Sequence, residues 1–120
     1  MTERKREPME IPKDKVGSVT VVVIPVEELD AGNAGEFKHD IAPILAADTR
    51  LVIDFSQLRF IDSSGLGAVL SCLRQLSAKG GELKLCGMSK QVRATFELVR
   101  MHRIFDIFFT CEEAVRAFPD

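Results

Sequence analysis

Three oxygen-bearing side chains, Asp62, Ser63 and Ser64, stand between a short apolar run and a stretch of leucines at helical spacing. Side chains of this kind accept hydrogen bonds from the free N–H groups at a helix N-terminus. The same position tolerates added negative charge, so a serine hydroxyl there can be modified or reactive. Two compatible interpretations follow, a helix cap and a modifiable or reactive hydroxyl.

Known catalytic motifs do not fit this stretch. A nucleophile elbow requires G-x-S-x-G, and Asp62 occupies the position of the first glycine. A phosphate-binding loop of the G-x-x-x-x-G-K-[ST] type is absent from the sequence. A serine nucleophile also needs a base, and the sequence does not place His39 or His102 near Ser64. Acyl transfer and nucleotide hydrolysis are therefore poorly supported, and we predict neither an enzymatic activity nor a cofactor.

Composition narrows the class of protein further. The chain has 120 residues and a net charge of -2, with a mean hydropathy of +0.07. These values suit one globular domain without a basic field for nucleic acid. No apolar run reaches the roughly eighteen residues that span a bilayer, and the charged N-terminus lacks a signal-peptide core. We expect a cytoplasmic protein that contacts neither DNA nor membrane directly.

The cysteines and histidines show no spacing typical of a metal site or a disulfide framework. Cys72, Cys86 and Cys111 are odd in number and widely spaced, without a C-x-x-C pair. His39 and His102 stand far apart, with no H-x-x-x-H spacing. We expect three reduced and mostly packed thiols, two structural or solvated histidines, and no metal.

Predicted strands and helices alternate along the chain. The two serines lie between one of these strands and the helix that follows it. The predicted strands are 10–15, 19–25, 51–55, 82–86 and 107–109. The predicted helices are 34–46 with Pro43 kinking or shortening it, 64–79, one capped by Ser89, and one opened by a capping box at Thr110 and Glu113. The alternation indicates an α/β fold, with a mainly parallel sheet of four to five strands, an N-terminal antiparallel hairpin and about four helices. Residues 1–9 are predicted to be a flexible tail.

The run 61–67, Ile-Asp-Ser-Ser-Gly-Leu-Gly, follows an apolar strand and opens an apolar helix. In that context it closely resembles the signature of anti-sigma factor antagonists, small bacterial proteins of the STAS domain family. The resemblance extends to residues 29–34, 87–92 and 104–105, and thus over nearly the whole chain. It implies a single STAS-like domain at residues 10–118, with the family's phosphorylated serine at Ser64.

The resemblance also implies a function. The unphosphorylated protein would bind an anti-sigma factor that is also a serine/threonine kinase, and would so free a sigma factor. Phosphorylation of Ser64 would switch this binding off, and a metal-dependent protein phosphatase would restore it. The alternative within the binding class is a STAS subunit of a larger stress-signalling or transporter assembly.

The partner-binding surface is predicted from the periodicity of the second helix. At about 100° per residue, Ser64, Ala68, Ser71 and Gln75 fall opposite the leucines and form an uncharged outer stripe. The loop at 30–33 is expected beside this stripe, because both follow strands whose carboxyl ends share one edge of the sheet. The predicted partner-binding residues are Asp30, Asn33, Asp62, Ser63, Ser64, Gly65, Gly67, Ala68, Ser71 and Gln75.

Overall fold

A five-stranded sheet runs through the computed structural model, which describes residues 9–119. Its strands are β1 Lys13–Val16, β2 Val19–Val23, β4 Arg50–Asp54, β6 Glu82–Cys86 and β7 Asp106–Phe108. They lie side by side in chain order. β1 is antiparallel to β2, and every other neighbouring pair is parallel. The predicted mainly parallel sheet with an N-terminal antiparallel hairpin is therefore confirmed.

A second, smaller sheet was not predicted. It pairs β3 Glu28–Leu29 with β5 Phe60–Ile61 in parallel, so that Leu29 lies opposite Ile61. Strands of two residues show no periodicity that a sequence pattern could report. This small sheet joins two connections that leave the main sheet at its carboxyl edge.

Four helices cover the two faces of the main sheet. They are α1 Ala34–Ala47, α2 Ser63–Ala78, α3 Lys90–Leu98 and α4 Cys111–Arg116, and a 3₁₀ turn Met101–Arg103 follows α3. Side chains of a strand point alternately to opposite faces. The larger core therefore joins Ile53 and Leu85 to α1, α2 and α3, whereas a smaller core joins Val52 to Ala114 and Phe118 at α4.

The starts of α3 and α4 follow local signals, whereas Pro43 does not end α1. Ser89 Oγ accepts a hydrogen bond from the Val92 N–H at 3.1 Å and caps α3, and Thr110 and Glu113 form the predicted capping box of α4. Pro43 lies inside α1, yet the helix continues to Ala47. The predicted shortening is wrong, because buried apolar side chains on the last turn keep it packed on the core.

The N-terminal segment differs from prediction at the start of the first strand. The predicted tail, residues 1–9, lies outside the described residues except for Met9, whose backbone N–H donates to Asp40 Oδ2 at 2.7 Å. β1 begins at Lys13 rather than at residue 10. Pro12 has no N–H and takes part only as an acceptor, through its carbonyl to the Val23 N–H.

Asp48, directly after α1, ties that helix to the hairpin. Its Oδ1 accepts a hydrogen bond from Thr20 Oγ1 at 2.9 Å and lies 3.3 Å from Lys15 Nζ. Burial acts to raise the pKa of the carboxyl, but the bonds to Thr20 and Lys15 outweigh it and hold the pKa below its usual 3.8. The ionised carboxylate is therefore the form that the fold prefers.

Cys86 and Cys111 form a disulfide between the last residue of β6 and the first residue of α4. The expectation of three reduced thiols is thus wrong for this pair, whereas Cys72 is free and buried. The two cysteines are separated by 25 residues in sequence. Only the packing of α4 on the sheet brings them together, which spacing alone does not indicate.

Candidate functional site

The N-terminus of α2 carries the two serines singled out by the sequence. α2 begins at Ser63, because Asp62 is extended and its Oδ1 caps the helix by accepting from the Gly65 N–H at 3.0 Å. Ser63 and Ser64 are therefore the first two helical residues, and both are exposed. Within residues 9–119, neither hydroxyl has a hydrogen-bond partner. Ser64 does not act as a cap, and its hydroxyl is accessible to a partner.

Asp62 also holds a second segment against the helix. Its Oδ2 accepts a hydrogen bond from the Ala31 N–H at 3.1 Å, and its own N–H donates to the Leu29 carbonyl at 3.2 Å. The pairing of β3 with β5 supports the same arrangement. The loop at 30–33 thus lies beside the N-terminus of α2, which confirms the predicted position of this loop.

The loop at 30–33 is held by its own polar side chains. Asn33 Oδ1 accepts from the Asp30 N–H at 2.9 Å, and Asn33 Nδ2 donates to the Glu28 carbonyl at 2.8 Å. Asp30 Oδ1 accepts from the Gly32 N–H at 2.9 Å. Asp30 and Asn33, predicted to contact a partner, therefore shape the loop from within. The exposed residues at its tip are Ala31 and Gly32.

The two glycines of the motif have different surroundings. A Cβ on Gly65 would collide with the Leu29 carbonyl oxygen and lie 2.6 Å from Ile61 Cγ1. Gly65 is thus buried by the chain's own small sheet, and the prediction that it faces a partner is wrong. Gly67 is exposed, and a Cβ there would meet nothing within 4 Å. Its backbone is open to an approaching partner.

The predicted outer stripe of α2 is only partly on the surface. Ala68 is 1% exposed and belongs to the larger core, so its assignment as a partner-binding residue is wrong. The prediction placed the buried side of α2 where the leucines lie. In the structure small residues are buried as well, and they extend the buried side as far as Ala68. These small buried residues are Gly65, Ala68 and Cys72.

One side of α2 nonetheless carries a row of uncharged surface residues, beside the exposed Arg74. Ser64, Gly67 and Gln75 are exposed and Ser71 is half-buried, at spacings of three and four residues that place them on one side of a helix. Gln75 Nε2 donates to Ser71 Oγ at 3.3 Å. We call these four residues the α2 strip.

An acidic cavity of about 410 Å³ opens beside the loop at 30–33. Its lining is Glu27, Glu28, Asp30, Asn33 and Arg59. The Arg59 Nε atom lies 3.1 Å from Glu27 Oε1, and both side chains are largely exposed, so this pair contributes little to stability. Sequence reasoning missed the cavity, because the pairing of β3 with β5 assembles it from two separate segments.

The surroundings of Ser64 do not resemble those of an activated nucleophile. Within residues 9–119, neither His39 nor His102 forms a hydrogen bond with the Ser64 hydroxyl.

The described part of the chain has no helix both long and apolar enough to cross a bilayer. Elsewhere, a carboxylate oxygen of Asp54 and the sulfurs of Cys86 and Cys111 lie within 4.8 Å of one another.

Comparison with known proteins relates this chain and its fold to one family. The family model described as STAS domain matches residues 10–114. BtrV of Bordetella bronchiseptica, provisionally named an anti-sigma factor antagonist, is 30% identical over 111 residues. The match covers 92% of this chain and 95% of BtrV.

Solved structures agree with the sequence match. The crystal structure of a provisionally named anti-sigma factor antagonist from Thermotoga maritima has a TM-score of 0.81 and 28% identity, covering 88% of this chain and 92% of that chain. The Bacillus cell fate determinant SpoIIAA in its phosphorylated form has a TM-score of 0.65 and 27% identity, covering 89% of this chain and 97% of that chain.

Proposed function

The chain belongs to the STAS domain family, and on that basis we propose that it is an anti-sigma factor antagonist switched by phosphorylation of Ser64. The unphosphorylated protein binds an anti-sigma factor that is also a serine/threonine kinase, and so frees a sigma factor in the cytoplasm. Phosphorylation of Ser64 ends this binding, and a metal-dependent phosphatase restores it. The observation that carries the proposal is the exposed, unbonded Ser64 hydroxyl beside Asp62 at the start of α2.

A phosphate on Ser64 is compatible with the fold. The hydroxyl makes no hydrogen bond within residues 9–119, so its modification removes no contact that stabilises α2. Negative charge in the first turn of a helix is favourable by about 0.3–1 kcal/mol. The modified domain therefore stays folded, as a reversible switch requires.

The same phosphate changes the surface that a partner meets. It adds a charge of about -1.5 to -2 at neutral pH, close in sequence to the carboxylate of Asp62. Burying that charge without a counter-charge in an interface costs several kcal/mol. Since about 1.4 kcal/mol corresponds to a tenfold change in affinity, one modification suffices to release the partner.

The docking surface of the proposal combines the α2 strip with the tip of the neighbouring loop. Small uncharged side chains on the strip cost little to desolvate, and the open backbone at Gly67 permits close approach. Ala31 and Gly32 extend this surface beside the helix N-terminus. Asp62 positions both parts through its two carboxylate oxygens.

Phosphosite mapping tests the acceptor. Wild type, Ser63→Ala and Ser64→Ala are each incubated with the anti-sigma factor kinase and ATP, and the products are mapped by mass spectrometry. Wild type and Ser63→Ala should each take up one phosphate, whereas Ser64→Ala should take up none. Ser63→Ala is a matched control, because its hydroxyl is also exposed and unbonded. A phosphate on Ser63, or labelling that survives Ser64→Ala, contradicts the proposal.

Titration calorimetry with the anti-sigma factor tests the switch. Ser64→Ala should bind as the unphosphorylated wild type does, since it adds neither bulk nor charge. Ser64→Asp should bind more than about tenfold more weakly while keeping the thermal melting curve of the wild type. If Ser64→Asp binds as tightly as Ser64→Ala, or loses binding only because it unfolds, the switch is refuted.

A further inference from the structure

The Cys86–Cys111 pair lies at the carboxyl end of β6 and the start of α4, and neither cysteine belongs to α2 or to the loop at 30–33. Cys86 is 0% exposed and Cys111 is half-buried. Their Cα atoms are 5.2 Å apart, within the usual range for a disulfide. We infer that this pair is a redox modification site, a dithiol that hydroperoxides convert to the disulfide and that cellular thiols reduce again.

The element that this bond controls is α4, a helix of six residues. Besides the disulfide, Ala114 and Phe118 hold it on the sheet through the smaller core. Past its other end, Arg50 donates from a guanidinium nitrogen to the Pro119 carbonyl at 2.7 Å. The disulfide therefore links the N-terminal end of α4 covalently to β6, and after its reduction only packing and the capping box hold that end.

A groove lies beside α4, so a movement of this helix would change the surface of the protein. α4 and the β1–β2 hairpin enclose a mainly apolar cavity of about 510 Å³. Cys111 and Val115 line one side of it, and Val21 and Val23 line the other. Because Cys111 belongs to both the disulfide and the wall, the oxidation state sets how firmly that wall is fixed.

Accessibility sets the order of the chemical steps. The Cys111 thiolate, nearer to solvent, attacks the peroxide: an S–O bond forms, the O–O bond breaks, and the released hydroxide takes up a proton as water. The buried Cys86 thiol then loses its proton and attacks the sulfur of the Cys111 sulfenic acid. The S–S bond forms, the S–O bond breaks, and a second water leaves. The two sulfurs lose two electrons, and the peroxide oxygens gain them.

Cys72 provides an internal reference for reactivity. It is free and 1% exposed. Burial raises the pKa of its thiol to about 12, so it stays protonated at neutral pH and reacts slowly. The full chain thus carries one inert thiol and one reactive pair, which can be compared within a single sample.

Mass spectrometry of the full chain tests the modification. Protein reduced with dithiothreitol is treated with hydrogen peroxide and then with an alkylating reagent. We expect the loss of two hydrogens, protection of Cys86 and Cys111 from alkylation, an unoxidised Cys72, and full reversal by dithiothreitol. Cys86→Ala should accumulate a sulfenic acid on Cys111, trapped by dimedone, because the resolving thiol is gone. Failure of the folded wild type to form the bond, or resistance of the bond to thiols, overturns the proposal.

Amide hydrogen exchange tests the effect on α4. Amides of α4 should exchange roughly tenfold or more faster in the reduced protein than in the oxidised protein, while those of α1 change little. Cys111→Ser should exchange at the reduced rate under both conditions. Equal exchange in both oxidation states overturns the proposal that the disulfide holds α4 in place. A reduced protein that retains one zinc ion through Asp54, Cys86 and Cys111 also overturns it, since the cluster would then hold a metal.

Discussion

An added methyl group has opposite consequences at Gly65 and Gly67, because Gly65 is buried and Gly67 is exposed. Gly65→Ala places a Cβ against the Leu29 carbonyl oxygen and Ile61, so β3 and β5 must move away from α2. We expect a loss of about 1–3 kcal/mol in the free energy of unfolding, as for other overpacked sites. Chemical denaturation monitored by circular dichroism measures the change.

Gly67→Ala is the matched control on the same turn of α2. Its Cβ meets open space, and alanine is favoured over glycine in a helix by about 0.8–1 kcal/mol. The variant should therefore be as stable as the wild type or more stable. Equal destabilisation by both substitutions would show that Gly65 is not needed for the close approach of β3.

At the residue scale, the sequence could locate the serines but not the network that holds them. The order Asp62, Ser63, Ser64 before a leucine-rich run correctly predicts a helix start. The bond from Ala31 to Asp62 depends on the pairing of β3 with β5, which leaves no local signal. Asn33 stands directly before α1 but does not cap it, because its side chain bonds to Glu28 and Asp30 instead.

At the scale of the element, the exposed side of α2 can be tested directly. Ser71→Glu places a charge in the middle of the α2 strip and should weaken binding to the anti-sigma factor by more than about tenfold. Its stability should change by under about 0.5 kcal/mol, as for most surface substitutions. Titration calorimetry on folded variants measures the affinity.

Ser77→Glu is the control for this experiment, because Ser77 is exposed in the last turn of α2 but lies outside the strip. It should bind as the wild type does. Ala68→Arg, which the leucine pattern alone suggests as a test, should instead unfold the protein, since Ala68 is in the core. Unchanged affinity in Ser71→Glu would place the partner on another surface.

The junction between α1 and the hairpin predicts a dependence of stability on pH. Burial opposes ionisation of Asp48, but its bonds to Thr20 and Lys15 hold the pKa of the folded protein below 3.8. This stabilisation is therefore present at pH values above the unfolded pKa of about 4, and it is lost as the pH falls through the folded pKa. Asp48→Asn should be less stable at neutral pH, and the difference from wild type should shrink in acid. Unfolding curves at several pH values measure it, and parallel pH profiles would contradict the prediction.

Elements with strong periodicity were predictable, and those defined by tertiary contacts were not. The strand at 82–86 and the caps at Ser89 and Thr110 lie where the sequence indicates. Val92, Phe96 and Val99 have helical spacing in the sequence, but α3 ends at Leu98, and Val99 is 50% exposed. Helical periodicity cannot report where a chain stops being helical without a glycine or proline signal.

At the scale of the whole molecule, the two cores are unequal, and the smaller one depends on few side chains. Phe118 is 6% exposed, and its ring lies 4.9 Å from Lys84 Nζ. Phe118→Ala should therefore cost about 3–5 kcal/mol and loosen α4. Thermal unfolding with the disulfide intact measures the loss.

Phe109 offers the matched control, because it is 77% exposed and stacks only with Arg93 among the described residues. Phe109→Ala should cost about 0.5–1 kcal/mol, the usual value of an exposed cation–π contact. Similar losses in both variants would show that α4 is not anchored by the smaller core.

The order of strands in the main sheet has a consequence for how the protein is made. β1, β2, β4, β6 and β7 lie across the sheet in the order in which the ribosome produces them. Each new strand can therefore join the edge left by the strand before it, and no strand has to be inserted between two that are already paired. A nascent chain can thus extend its sheet from one side during synthesis. Only the contacts of α4, which comes last, close the second face.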